Sequence, residues 1–238
     1  MTSAPFSSDQ PISPDGPRRP SLLIFDVNET LSDMSPLSAR FEEIGAPEHL
    51  AKLWFAELLR DGFALTASGD IESFATLGAE ALRVRLAGRP IDRPLEEAVE
   101  HVMRGFSELA VHPDVVEGVH ALSDLGIRLV TLSNGSAGVA ETLLQGAGVR
   151  DRFERLLTVE DAGVWKPALR AYTWALQECG VEPMDAMLVA VHPWDVDGAR
   201  RAGLATAWID RASGRYPSYF AAPDVEAASL VELADALR

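Results

Sequence analysis

The run Leu22-Leu23-Ile24-Phe25 is apolar without a break and is closed by Asp26. Such a run predicts a strand buried on both faces of a parallel sheet, with a carboxylate at its carboxyl end. The period then changes. Between about Pro36 and Ser107, apolar residues recur at helical spacing over residues 37–44, 50–65, 71–86 and 95–109. The breaks carry Gly45-Ala46-Pro47, Ser68-Gly69-Asp70 and Gly88-Arg89-Pro90, which are turn chemistry. Four helices with no strand between them predict a helical insertion. Strands are then expected at 128–132, 155–159, 187–191 and 206–210. They alternate with helices at 115–125, after Gly135 through Leu144, at 167–179 and, briefly, at 199–202. Alternation of this kind predicts an α/β fold, a Rossmann-like doubly wound parallel sheet with a helical cap inserted after the first strand. The expected division is a disordered tail over 1–19, a core domain over 20–36 and 108–238, and a cap domain over 37–107.

Composition narrows the partners. The 238 residues are 47% hydrophobic and 24% charged, with a formal charge of -15. That surface repels phosphate backbones, so nucleic acid is not expected, and an anionic small substrate needs a local positive cluster. The single cysteine, Cys179, excludes an internal disulfide and suits a reducing cytoplasm. No apolar run reaches the roughly 20 residues of a membrane span, and the first residues lack a signal-peptide pattern. Arg18 and Arg19, at the end of a stretch rich in Pro, Ser and Asp, read as solubilising.

Polar residues gather at the predicted strand ends. The first strand offers Asp26 and Thr30, and the second Ser133 and Asn134. Lys166 stands in Gly163-Val164-Trp165-Lys166-Pro167, and the fourth strand leads to His192, Trp194, Asp195 and Asp197. A doubly wound sheet converges these ends on one crevice. Each has a plainer reading taken alone. Asp26 and Asn134 can cap helices, Lys166 can lie on the surface, and Asp195 and Asp197 can face a helix dipole.

Taken in order, the segments resemble the four motifs of the haloacid dehalogenase superfamily. They are Asp26-Val27-Asn28-Glu29-Thr30-Leu31, Leu132-Ser133-Asn134-Gly135-Ser136, Trp165-Lys166-Pro167, and His192-Pro193-Trp194-Asp195-Val196-Asp197-Gly198-Ala199. The resemblance spans about residues 21–211 and is best to the type II, L-2-haloacid dehalogenase-like hydrolases. It implies that Asp26 attacks the halogen-bearing carbon of a short halogenated carboxylate, and that water then hydrolyses the resulting ester to a 2-hydroxy acid. Lys166 would keep Asp26 ionised, Thr30 would steady it, and Asp195 would hold Lys166 or help activate the water. Ser133, Asn134, His192, Tyr172, Arg60 and Trp194 would form the substrate site. The resemblance also implies a homodimer, no cofactor and no metal ligand.

Two departures shape the expectation. Asn28 stands where phosphatases of the superfamily carry a second acid, which disfavours the alternative of a Mg2+-dependent small-molecule phosphatase. In the cap, Phe55 follows Trp54 where an Arg receives the leaving halide in such dehalogenases, so Arg60 is the candidate replacement. A His at position 192 resembles members that act on fluorinated acids.

Overall fold

The computed structural model describes residues 19–212 and 214–238. The expectation of a disordered tail over 1–19 therefore falls outside the described residues, Arg19 excepted. Arg19 Nε and Nη2 donate to the carbonyls of Leu237 and Arg238 at 2.8 and 2.7 Å, tying that residue to the far end of the chain.

Among the described residues, six strands form one parallel sheet: β1 (Leu22–Phe25), β2 (Arg128–Ser133), β3 (Arg155–Thr158), β4 (Ala186–Ala190), β5 (Ala205–Ile209) and β6 (Val225–Ala227). Their spatial order is β3-β2-β1-β4-β5-β6, with Phe25 level with Thr131 on one side and Val189 on the other. The apolar run of β1 makes sense in this central place. Leu23 and Phe25 point into one layer, with Val119, Leu144 and Leu230, while Leu22 and Ile24 point into the other, with Tyr172, Leu176 and Ala199. Alternate residues thus serve opposite faces, and all four side chains are buried.

Helices α1 (Leu37–Glu42), α2 (Leu50–Ser68), α3 (Phe74–Leu86) and α4 (Leu95–Ser107) follow β1 directly. They share their own core, in which Phe41, Trp54 and Phe106 meet. Then come α5 (Val115–Asp124), α6 (Ala137–Gly146), the short α7 (Val159–Ala162), α8 (Leu169–Cys179), α9 (Pro193–Arg201) and α10 (Leu230–Ala236). The helix expected over 199–202 is the end of α9, which starts at Pro193. β6, α7 and α10 add to the expected elements. No helix among the described residues is long and apolar enough to cross a membrane.

Val159, Trp165 and Ala171 join the α/β part to the α1–α4 core, Trp165 most extensively. Trp165, beside Lys166, is fully buried among the α1–α4 side chains. Its indole Nε1 donates to Glu72 O at 3.0 Å, its backbone N–H donates to Thr66 Oγ1 at 3.2 Å, and its ring stacks on Phe74. Gly62 leaves room for it, since a Cβ there would lie 2.5 Å from the indole ring. The lysine segment is thereby latched to α2 and α3.

Candidate active site

β1 lies where the strand order reverses, so its carboxyl end opens into the crevice in which doubly wound sheets bind ligands. Asp26 stands there, 3% exposed. Thr30 comes back to it through a tight turn and donates its hydroxyl to Asp26 Oδ2 at 2.7 Å. The backbone N–H of Val191 donates to the same hydroxyl oxygen at 3.1 Å, which fixes the direction of the Thr30 proton.

Lys166 reaches the carboxylate from the other side of β1. Its Nζ donates to Asp26 Oδ1 at 3.0 Å and to Asp195 Oδ2 at 2.6 Å, and its side chain is fully buried. Two further residues set this geometry. The Asn134 amide accepts from the backbone N–H of Lys166 at 3.0 Å and donates to its carbonyl at 3.3 Å. Tyr172 donates its hydroxyl to Asp195 Oδ1 at 2.6 Å. A buried ammonium is tolerated when its donors are matched in this way.

His192 completes the group. Its Nδ1 lies 3.1 Å from Asp26 Oδ2 and its Nε2 lies 2.9 Å from Glu29 Oε2. An imidazole between two carboxylates donates on both sides only as the cation. Burial would lower its pKa, but the bonds to Asp26 and Glu29 outweigh it and push it up to about 9. Glu29 has a left-handed backbone, with φ 62°. That conformation is held by Ser32 Oγ, which accepts the Glu29 N–H at 3.3 Å, and by His112 Nε2, 3.0 Å from the Glu29 carbonyl.

The charges balance inside the protein. Burial alone would raise the Asp26 pKa; Lys166, His192 and Thr30 outweigh it and hold this carboxyl below the usual carboxylate range. Burial pushes the Asp195 carboxyl up; Lys166 pulls against this, and the nearby Asp26 charge adds to it. Burial would lower Lys166, yet Asp195 and Asp26 raise it above the ordinary lysine value. Asp26 is therefore an anion aimed by three donors and shielded from water, the state in which a carboxylate can act as a nucleophile.

The structure brings Asp26, Thr30, Lys166, Asp195 and His192 into direct contact. Tyr172 and Asn134, expected at the substrate, spend their polar groups on Asp195 and on the Lys166 backbone. Ser133 is buried and its Oγ accepts from Gly135 N at 2.9 Å. Trp194 is half-buried, stacks on His192 and meets Phe63 edge-on. Arg60 is not brought to the site. Five residues after Phe55, it falls about 140° around the helix from it. Its side chain is 64% exposed and pairs with Asp61 and Glu57.

Beside the group lies a cavity of about 380 Å³. His192 and Glu29 form part of its wall, with Phe55 of α2, Leu37 of α1 and Trp208 of β5. Glu29 lies within the motif that begins at Asp26, but its bond to His192 is one that no sequence pattern announced. Its partner His192 is 163 positions away.

Known proteins resemble this chain in sequence and share its fold. The model of the haloacid dehalogenase-like hydrolases matches residues 20–203. The (S)-2-haloacid dehalogenase of Pseudomonas sp. strain YL is 29% identical over 212 residues, covering 87% of this chain and 90% of that protein. A crystal structure of a dehalogenase with an intermediate complex has a TM-score of 0.84 at 26% identity, covering 91% of this chain and 96% of its own. A defluorinating L-2-haloacid dehalogenase has a TM-score of 0.77, also at 26% identity, covering 93% and 98%. With the motif side chains assembled around Asp26 and the family match running through all of them, this chain belongs to the haloacid dehalogenase-like hydrolases.

Proposed function

We propose that this chain hydrolyses the carbon–halogen bond of a short 2-haloacid, yielding halide and a 2-hydroxy acid through an ester on Asp26. The observation that carries the reading is the buried Asp26 carboxylate, held by Lys166 at 3.0 Å and Thr30 at 2.7 Å. The similarity to (S)-2-haloacid dehalogenases over most of the chain supports it.

The hydrogen bonds suggest which oxygen attacks. Oδ2 receives two donors, from Thr30 and His192, whereas Oδ1 receives only Lys166. A carboxylate oxygen offers about two lone-pair sites, so Oδ1 retains one for the substrate carbon. Its attack displaces halide with the bonding pair of the carbon–halogen bond and leaves Oδ2 as the ester carbonyl oxygen. Water then adds to the Asp26 carbonyl carbon, and the charge that develops on Oδ2 meets the Thr30 hydroxyl and the His192 Nδ1–H. Collapse of that adduct breaks the bond from Cγ to Oδ1; one proton of the attacking water passes to that oxygen and the other to solvent, so Asp26 returns as a carboxylate and the 2-hydroxy acid leaves with an oxygen that came from Asp26. Asp195 and Tyr172 position Lys166, and Asn134 fixes the backbone that carries it.

The phosphatase alternative is not retained. A Mg2+ site would have to draw on Asp26 and Asp195, and the Lys166 ammonium bridges those two carboxylates at 3.0 and 2.6 Å. The position of its second acid is held by Asn28, an amide that cannot protonate a leaving alkoxide. Residence in the cytoplasm and assembly as a homodimer belong to the same proposal; a single, buried, free Cys179 fits a reducing compartment. The test is halide release from fluoro-, chloro- and bromoacetate and both 2-chloropropionate enantiomers, with and without Mg2+. Release that is independent of Mg2+ is expected, and its absence from all five substrates contradicts the proposal.

A further inference from the structure

The cavity beside His192 is walled by apolar side chains, among them Met34, Leu37, Phe55 and Trp208. Its size falls in the range of small-molecule sites and exceeds what a two- or three-carbon acid fills. The charged groups around it are nearly all committed. His192 lies between Asp26 and Glu29. Arg211 is paired with Asp114 through two nitrogens and also donates to the Thr30 carbonyl. Asp33 accepts the Ser35 N–H, and Asp210 accepts the N–H groups of Ala212 and Gly214.

Lys52 is the exception. It lines the cavity from the first turn of α2, exposed, with no described side chain bonded to its ammonium. It stands one turn before Phe55 and lines the cavity with it, whereas Arg60, two turns further along α2, does not. A cation in a helix's first turn also sits against the dipole, and that turn holds no acid to offset it. The result is a pocket with apolar walls, one uncommitted positive charge and a wall shared with the Asp26 group, in a chain whose overall charge is -15.

From this arrangement we infer that the cavity binds carboxylates with a sizeable apolar tail, the carboxylate on Lys52 and the tail against Phe55, Leu37, Met34 and Trp208. The inference rests on the proposed dehalogenation only in making these carboxylates the substrates. It then extends the substrate class from haloacetate to longer or aryl-bearing 2-haloacids. An ammonium–carboxylate contact against apolar walls gives both terms of the selectivity, charge at one end and buried area along the chain.

Calorimetric titration of the full chain with acetate, butanoate, hexanoate and phenylacetate tests the inference without any turnover. Affinity rising at least tenfold from acetate to hexanoate is expected. Lys52→Met should lower hexanoate affinity tenfold or more, and Lys52→Arg should restore most of it. In halide release from 2-bromohexanoate, Lys52→Met should raise KM with kcat little changed. Wild-type affinity for hexanoate in Lys52→Met, or equal affinity for acetate and hexanoate, overturns the inference. Binding that depends on Lys52 in a protein that releases no halide overturns the proposed reaction and leaves this site standing. Halide release unaffected by Lys52→Met does the reverse.

Discussion

Replacing Glu29 by Gln removes one of the two charges that keep His192 protonated while preserving the length of the side chain and an oxygen near Nε2. In the folded protein His192 titrates near 9 instead of near 6.5. That difference corresponds to about 3 kcal/mol in favour of the imidazolium. Asp26 is the buried partner at 3.1 Å, whereas the Glu29 side chain is 43% exposed and screened by solvent. Glu29 therefore contributes the smaller share, about 1.4 kcal/mol, and its loss should lower the titration of His192 by about 1 in pH. In kcat/KM for halide release measured from pH 6 to 10, wild type should lose activity as pH rises through about 9, because Oδ2 then loses a cationic donor. In Glu29→Gln that alkaline limb should move to about 8. The stability effect has the same sign. A raised pKa means the contribution of His192 is fully present below about 6.5 and is lost as pH rises through about 9. An alkaline limb that stays in place in Glu29→Gln, or that survives in His192→Gln, refutes the reasoning.

Lys166→Met leaves Asp26 and Asp195 buried without their shared cation. It should abolish measurable halide release and lower stability by about 3–5 kcal/mol, read by urea unfolding at pH 7. The sign should turn at low pH, where protonation of both carboxylates relieves the variant. Gly62→Ala places a Cβ 2.5 Å from the Trp165 ring. The indole must shift, at a cost of about 1–3 kcal/mol, and because Lys166 is the next residue, kcat should fall along with the melting temperature. A Gly62→Ala enzyme of normal stability and activity would show that the latch between Trp165 and α2 does not position the lysine.

The strands buried on both faces were legible because such strands must be apolar throughout; Leu22–Phe25 and Ala186–Ala190 have no polar position to blur them. The site was legible for the opposite reason, since Asp26 and Asp195 beyond those strands and Lys166 beyond α7 are chemistry that a core does not otherwise hold. The start of α9 was legible only as the plainer reading of Asp195 and Asp197, because these polar residues of its first turns are nonetheless buried. Burial there follows function, so the helical period of apolar residues disappears. Pro193 at the first helical position was the available signal. α10 also had its signal: Ser229 Oγ accepts the Glu232 N–H at 3.1 Å, and Glu232 Oε2 accepts the Ala228 N–H at 2.7 Å. The Ser-Leu-Val-Glu pattern is that of a capping box, with the Glu bonded to the N–H one residue ahead of the cap. β6, three residues at the sheet edge, offers too short a pattern to read. Arg60 is spent on Glu57 and Asp61 while Lys52 lines the cavity, a difference that a candidate named for its charge alone cannot register. The bond between Glu29 and His192 exists only once β1 and β4 are neighbours.

The central claim is that Asp26 bonds covalently to the substrate carbon. It is tested most directly by a single turnover of 2-haloacid with excess enzyme in water enriched in oxygen-18. The first 2-hydroxy acid should carry unlabelled oxygen, and mass spectrometry of the Asp26 peptide should then show the label in that side chain. Label in the first product with none in Asp26 would mean that water attacks the substrate carbon itself.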